Sequence, residues 1–410
     1  MKIKAFPALR PSADLAHLVA CAPYDTVNTQ EARSLADGNS RSFFRIVRPE
    51  IDLPDGVDIY SDQVYEKAAK NFTQFQKDGI FIREDEPCLY IYRQKTNDHV
   101  QRGIVACVHI EDYENNIIRK HEKTRPDKEK DRTRHVTTLN ANTGPVFLTY
   151  RNDPAIDNII ASIEKQKPIF DFTASDGIEH TVWKITGEYP LVEAFKQIPV
   201  AYIADGHHRA AAAARVGSEK RALNPRHTGN EEYNWFLAIL FPANQLKILP
   251  YNRCVKDLNN MTETELIEAI KMNFTVRENA KRTPSCPQHI SMYLNSKWYG
   301  LSWTHINFQH NPENNSVSDL DVKILQDKLL NPILNIKNPR ADQRIQFIGG
   351  SRGTGELTKL VDSGKAAVAF SMYPVAVEQI MAVADDNQIM PPKSTWFEPK
   401  PRSGLLVHTL

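Results

Sequence analysis

The densest chemistry in the chain is packed into five residues. Asp205-Gly206-His207-His208-Arg209 offers a carboxylate, two imidazoles and a guanidinium, and five alanines follow directly. A glycine there lets the backbone turn sharply, and the alanines begin a helix with strong propensity and little bulk. The free N–H groups and the positive end of such a helix face whatever lies before it, which makes a ready anion site. His207, His208 and Arg209 add donors at the same place, and an arginine can grip phosphate oxygens bidentately. Asp205 supplies a hard oxygen ligand for Mg²⁺. A lone histidine on a turn would read as a helix cap, but this many polar groups together favour a site. A metal centre is the sharper competitor. Against it, adjacent histidines rarely converge on one ion, and the H-x-E and HExxH spacings are absent.

Two further stretches carry groups that could serve the same chemistry. Arg119-Lys120-His121-Glu122-Lys123-Thr124-Arg125-Pro126 surrounds one glutamate with cations. A carboxylate so placed stays ionised and, partly dried by a bound substrate, can accept a hydroxyl proton. His121, Lys123 and Arg125 are the candidates for holding anionic groups beside it. A solvated, salt-bridged loop is the plain alternative, and the continuation Lys128 to Arg134 reads as solvated charge with no role. Near the end, Met390-Pro391-Pro392-Lys393-Ser394-Thr395 and Pro399-Lys400-Pro401-Arg402-Ser403-Gly404 form a proline-framed basic hook. Prolines lower the entropy lost in fixing Lys393, Ser394 and Thr395 around a ligand. Gly349 to Gly355 looks like a phosphate loop but lacks the terminal GK[ST], so it reads as an ordinary connection.

The elements that must position these residues alternate between strand-like and helix-like, which argues for a mixed α/β (α+β) fold. Asp62 to Gly79 has helical spacing. Cys88 to Arg93, Gly103 to Ile110 and Gly144 to Tyr150 read as strands. Asp153-Pro154 opens a helix, and Phe170 to Ile185 reads as a hairpin around Asp176-Gly177. Pro199 to Ala204 is the strand that feeds the five-residue cluster. Glu111 to Asp131 reads as an exposed loop or helix start. In the second half, Trp235 to Phe241, Leu246 to Leu249, Ile345 to Ile348 and Ala366 to Met372 read as strands. Glu263 to Met272, Leu320 to Leu334, Gly355 to Val361 and Val375 to Ala384 read as helices, and Cys286 to Glu313 as β-rich or irregular. Coarse partings near Glu111 and Pro250 give regions 1–110, 111–250 and 251–410.

Composition narrows the function classes. With 410 residues and 41% hydrophobic content the chain can bury a large core without staples. Its 51 basic and 50 acidic residues create no overall field for nucleic acid or membrane. Five scattered cysteines without a CxxC pair fit reduced thiols. The start has no apolar targeting core and no run is long enough to span a bilayer, so a cytoplasmic protein is expected.

Ile203-Ala204-Asp205-Gly206-His207-His208-Arg209 resembles the signature of free serine kinases in the ParB/sulfiredoxin-like superfamily. His121-Glu122 resembles the His-Glu pair that precedes it there, and Pro392-Lys393-Ser394-Thr395 resembles their late Ser-Pro-Lys-Thr-Thr segment. The whole chain also resembles a prokaryotic family of unknown function, through Ala22-Pro23-Tyr24-Asp25, Leu249-Pro250-Tyr251-Asn252-Arg253 and Met390 to Thr395. The chain departs from the kinases in its added N-terminal α/β region, read as scaffold, and in the charged stretch after Glu122.

The resemblance implies a ParB/sulfiredoxin-like nucleotide-binding core over 111–250, with a C-terminal α/β region returning Lys393, Ser394 and Thr395 to the site. It implies a kinase using Mg²⁺ and ATP or ADP, with a small metabolite, foremost free serine, as acceptor. Glu122 would take the hydroxyl proton, Asp205 position Mg²⁺, and Gly206, His207, His208 and Arg209 neutralise the phosphoryl group. Asp25 is a further candidate for the same cleft. A ParB-type nucleotide-hydrolysing regulatory module and a metal-dependent hydrolase are the alternatives. Near-zero net charge and the lack of a helix-turn-helix count against nucleic-acid binding.

Overall fold

The computed structural model describes residues 1–187, 189–303 and 316–410. The fold is mixed α+β and divides into two compact units, one of 1–246 with 399–410, the other of 247–398. The expected parting near Glu111 falls inside the first unit, because one sheet runs through both sides of it. That nine-stranded sheet has the order Ile118–Arg119, Ala201–Asp205, Val146–Tyr150, Trp235–Pro242, Val100–His109, Leu89–Lys95, Glu179–Ile185, Phe170–Thr173, with Ile3–Lys4 also pairing Val100–His109. Val100–His109 bonds antiparallel to Trp235–Pro242 on one side and to Leu89–Lys95 on the other. Val146–Tyr150 is buried at every residue, so its run of apolar side chains is that of a strand covered on both faces.

The register of two short partners matters most for the site. Ile118–Arg119 runs parallel to Ala201–Asp205, with Ile118 opposite Ala201 and Arg119 opposite Tyr202. Parallel strands deliver their following residues to the same end of a sheet, so the loop after Arg119 and the turn after Asp205 emerge side by side.

Most of the expected elements form. The hairpin around Asp176-Gly177 pairs Phe170–Thr173 with Glu179–Ile185, and Pro154–Ile163 is a helix whose Asp153 side chain accepts from the Ala155 N–H. Glu111 to Asp131 differs from its expectation. It holds a short helix, Ile110–Glu114, the strand Ile118–Arg119, and the start of a full helix, Pro126–Leu139. Lys128 to Arg134 is therefore ordered helix, with Asp131 buried at 7% exposure.

The second unit has its own antiparallel sheet, in the order Thr275–Glu278, Lys297–Ser302, His289–Leu294, Val368–Ser371, Tyr251–Val255, Ile345–Gly349. Cys254, Tyr293, Ile348, Leu357 and Ala369 contribute to its core. The expected helix from Leu320 is α-helical only over Asp321–Leu325 and continues as a π turn through Leu330. The part of the expected β-rich stretch beyond 303 lies outside the described residues. The phosphate-loop lookalike is a tight turn, Gly350–Arg352, entering the helix Gly353–Asp362. All five cysteines are free thiols. Among the described residues no helix is long and apolar enough to cross a membrane.

Candidate functional site

The strand Ala201–Asp205 ends at Gly206, which sits at φ 96°, and the helix His207–Leu223 begins immediately. Only glycine suits this position. Its left-handed backbone is strained for other residues, and a Cβ there would come 2.9 Å from Arg209 Nε. The alanines do more than favour a helix. Ala210 to Ala214 are all buried, so their small side chains allow close packing along the first turns. Gly217 continues that contact, since a Cβ there would meet the Tyr233 carbonyl at 2.5 Å.

Both histidines of the cluster hold the neighbouring loop. His121 donates its backbone N–H to His207 Nε2 at 3.5 Å, and Arg125 donates its backbone N–H to His208 Nε2 at 3.0 Å. The rings of His121 and His207 meet edge to face at 4.5 Å. Half-buried Glu122 lies between the two tethers, and Lys123 and Arg125 are exposed. Burial drives His207 well below the ordinary histidine range, reinforced by His121, and drives His121 down to about 4. His207 is thus a neutral acceptor. Its ring holds the loop and lends no positive charge, unlike the part the resemblance implies for it.

Positive charge comes from two other side chains. Arg209 donates to Asp205 Oδ2 at 2.5 Å and to the Pro145 carbonyl. Lys400 donates to the other Asp205 oxygen. Burial alone would raise the Asp205 pKa, but Lys400 and then Arg209 hold it well below the usual carboxylate range. Asp205 is therefore ionised and engaged by two cations on its two oxygens. Among the described residues no group of three His, Cys, Asp or Glu could hold a metal ion. The expected Mg²⁺ role of Asp205 has to compete with both cations.

Lys400 reaches this place because its segment is clamped. Gln101 Nε2 donates to the Pro399 carbonyl at 2.9 Å and Gln94 Nε2 to the Lys400 carbonyl at 3.0 Å, and both glutamines are fully buried. The proline-framed hook is legible in sequence, but its second half, with Lys400, is what reaches Asp205. Lys393, Ser394 and Thr395 belong to the other unit. There Ser394 donates to the Pro391 carbonyl at 2.6 Å, Arg253 donates to the Lys393 carbonyl at 3.2 Å, and Lys393 Nζ lies 5.5 Å from the Tyr251 ring centre. The structure brings together His121, Glu122, Arg125, Asp205, Gly206, His207, His208 and Arg209, and adds Lys400.

The comparisons with known proteins give a family without an activity. A family model described as a protein of unknown function, DUF1015, matches residues 3–323. No curated protein matches the chain. Among solved structures, a free serine kinase in complex with AMP is similar at 12% identity, covering 72% of this chain and 86% of that one with a TM-score of 0.37. SbnI with a C-terminal truncation, from Staphylococcus aureus, is similar at 11% identity, covering 74% and 87% with a TM-score of 0.40. A conserved hypothetical protein from Pyrococcus furiosus is similar at 12% identity, covering 72% and 90% with a TM-score of 0.35.

Proposed function

We propose that this chain, which belongs to the DUF1015 family of proteins of unknown function, is a nucleotide-dependent kinase acting on a small hydroxyl-bearing metabolite, with free serine the leading acceptor. One observation carries the reading. The loop bearing Glu122 is tied by two backbone N–H groups to the histidines that open the helix His207–Leu223. The segment that carries this carboxylate is thereby held at the same helix end as Arg209, Lys400 and the helix's first backbone N–H groups.

Phosphoryl transfer needs little covalent chemistry from a protein. It needs a nucleotide held in line with the acceptor and the charge of the moving group neutralised. In this reading Glu122 accepts the acceptor's hydroxyl proton as its oxygen attacks the terminal phosphorus of ATP or ADP. The bond from that phosphorus to the nucleotide's bridging oxygen breaks, and the shortened nucleotide leaves with the electron pair. Arg209, Lys400 and the N–H groups of His207, His208 and Arg209 offset the negative charge. Asp205 orients Arg209 and Lys400. Mg²⁺ does not fit well at Asp205, whose two oxygens already face those cations, and no step is assigned to it there.

The test is direct. Full-length protein incubated with ATP or ADP, MgCl₂ and L-serine is expected to yield phosphoserine by mass spectrometry. Absence of any phosphorylated product across a panel of hydroxy amino acids, hydroxy acids and sugars would overturn the reading.

A further inference from the structure

Beside the helix opening, the first unit contains a small pocket bordered by Tyr24, Arg132, Asn142, Thr143, Arg209 and Ser403. It shares Tyr24 and Arg132 with a second lobe to which Arg48, Glu50, Tyr60, Lys128 and Asp131 also contribute. Arg209 belongs both to this pocket and to the Asp205 cluster, and Ser403 follows Lys400 by three residues. The pocket therefore adjoins the place where the phosphates are expected.

Three observations make it a built site for an anion. The Arg132 side chain is only 11% exposed, bonds Asp131 along one edge at 2.8 Å, and lies over the Tyr24 ring at 4.0 Å. Asp131 is shared, because it also accepts from the Tyr65 hydroxyl at 2.7 Å. Asn142, 7% exposed, has its Nδ2 buried with no partner among the described residues, and Arg209 Nε is in the same state. A buried donor without an acceptor is costly, and a ligand oxygen removes that cost.

We infer that this pocket receives the carboxylate of the phosphoryl acceptor, with Arg132 and Asn142 as its donors and Tyr24 as its wall. The inference rests on the kinase reading for the word acceptor, but not for the binding itself. It selects hydroxy acids and hydroxy amino acids over neutral alcohols and sugars. It also gives the N-terminal region a task beyond scaffold, since Tyr24, Arg48 and Tyr60 come from it and line the walls.

The experiment is calorimetric titration of the full chain with L-serine, L-threonine, L-homoserine and D-glycerate, each set against a neutral counterpart such as serinol or glycerol, and with inorganic phosphate. At least one acid is expected to bind ten-fold or more tightly than its neutral counterpart. Arg132→Gln is expected to erase that difference while ADP affinity stays within about two-fold. Because Arg132 is largely buried, Asn142→Asp serves as a near-isosteric second variant. It should weaken the same acid more than ten-fold, with an unchanged melting temperature showing that the fold is intact. If no acid on the panel is favoured, or if both variants bind it as the wild type does, the inference is overturned. Binding of phosphate alone, lost in Arg132→Gln, also overturns it and makes the pocket a phosphate subsite. Arg132-dependent acid binding without any phosphorylated product would keep the inference and sink the kinase reading.

Discussion

Two helices border the pocket and pack against each other, and their sequences announce that role in opposite ways. His207–Leu223 opens with polar groups and then runs through buried alanines, so its chemistry is concentrated in its first three residues. Pro126–Leu139 is charged along most of its length and its mean character is that of a solvated helix, yet Asp131, Thr133, His135 and Leu139 are buried. Helical spacing explains the difference. Asp131, His135 and Leu139 stand four residues apart and share one face, while Lys130 is exposed. Charge density alone therefore does not tell a solvated helix from one with a buried polar face. The positions of the charges do.

Acid should break both helices' inner faces and is the largest effect expected. Burial pushes His135 down to about 4, helped by Arg132, pushes His121 down to about 4, and drives His207 well below the ordinary histidine range. Each histidine binds its proton less readily when folded than when unfolded. Their stabilisation is thus complete above pH ~6.5 and is lost as pH falls towards 4. Urea titrations across that range should show a loss of several kcal/mol, roughly. A flat profile from pH 7 to pH 4 would mean that these rings are solvated.

Removing the cation on Asp205 comes next. Lys400→Met is expected to weaken ADP binding about 10–100-fold, the worth of one charge-assisted hydrogen bond, as read by calorimetry. Unchanged affinity would confine Lys400 to holding the fold. On the charged helix, Asp131→Asn should cost about 1–3 kcal/mol in urea unfolding, because Tyr65 and Arg132 lose their charged acceptor. Lys130→Ala, one residue away, should stay within about 0.5 kcal/mol. Equal costs for the two would erase the contrast between the helix's faces.

The smallest effect separates fold from site within the alanine helix. Gly206→Ala forces a left-handed alanine against Arg209 and should cost about 1–2 kcal/mol while also weakening ADP binding. Gly217→Ala collides with the Tyr233 backbone and should lower the melting temperature with ADP affinity unchanged.

What the sequence disclosed follows the same division. The cluster Asp205 to Arg209 is contiguous, so residue type and a strand-to-helix pattern were enough to expose it. Glu122 stands out in sequence as a carboxylate among cations, but its link to that cluster rests on the resemblance alone, because a short parallel pairing, Ile118 beside Ala201, brings the two together. Lys400 stood in view within a proline frame, but its partner is 195 residues away and no local pattern names it. The roles of the histidines were misjudged for a different reason. Burial and a backbone donor decide whether an imidazole is a cation or an acceptor, and neither can be read from adjacent letters. Arg132, within the stretch that reads as solvated charge, and Asn142 give no sign of a pocket in sequence, because its other wall comes from Tyr24 and Val47, far away along the chain.

Turnover and nucleotide affinity measured together on Glu122→Gln bear most directly on the central claim, that the tethered loop carries the proton acceptor. Turnover should fall about 10²–10⁴-fold while ADP affinity stays within about two-fold, because the amide keeps the size and the tethers but not the basicity. Turnover close to that of the wild type, or a loss of ADP binding in its place, would contradict it.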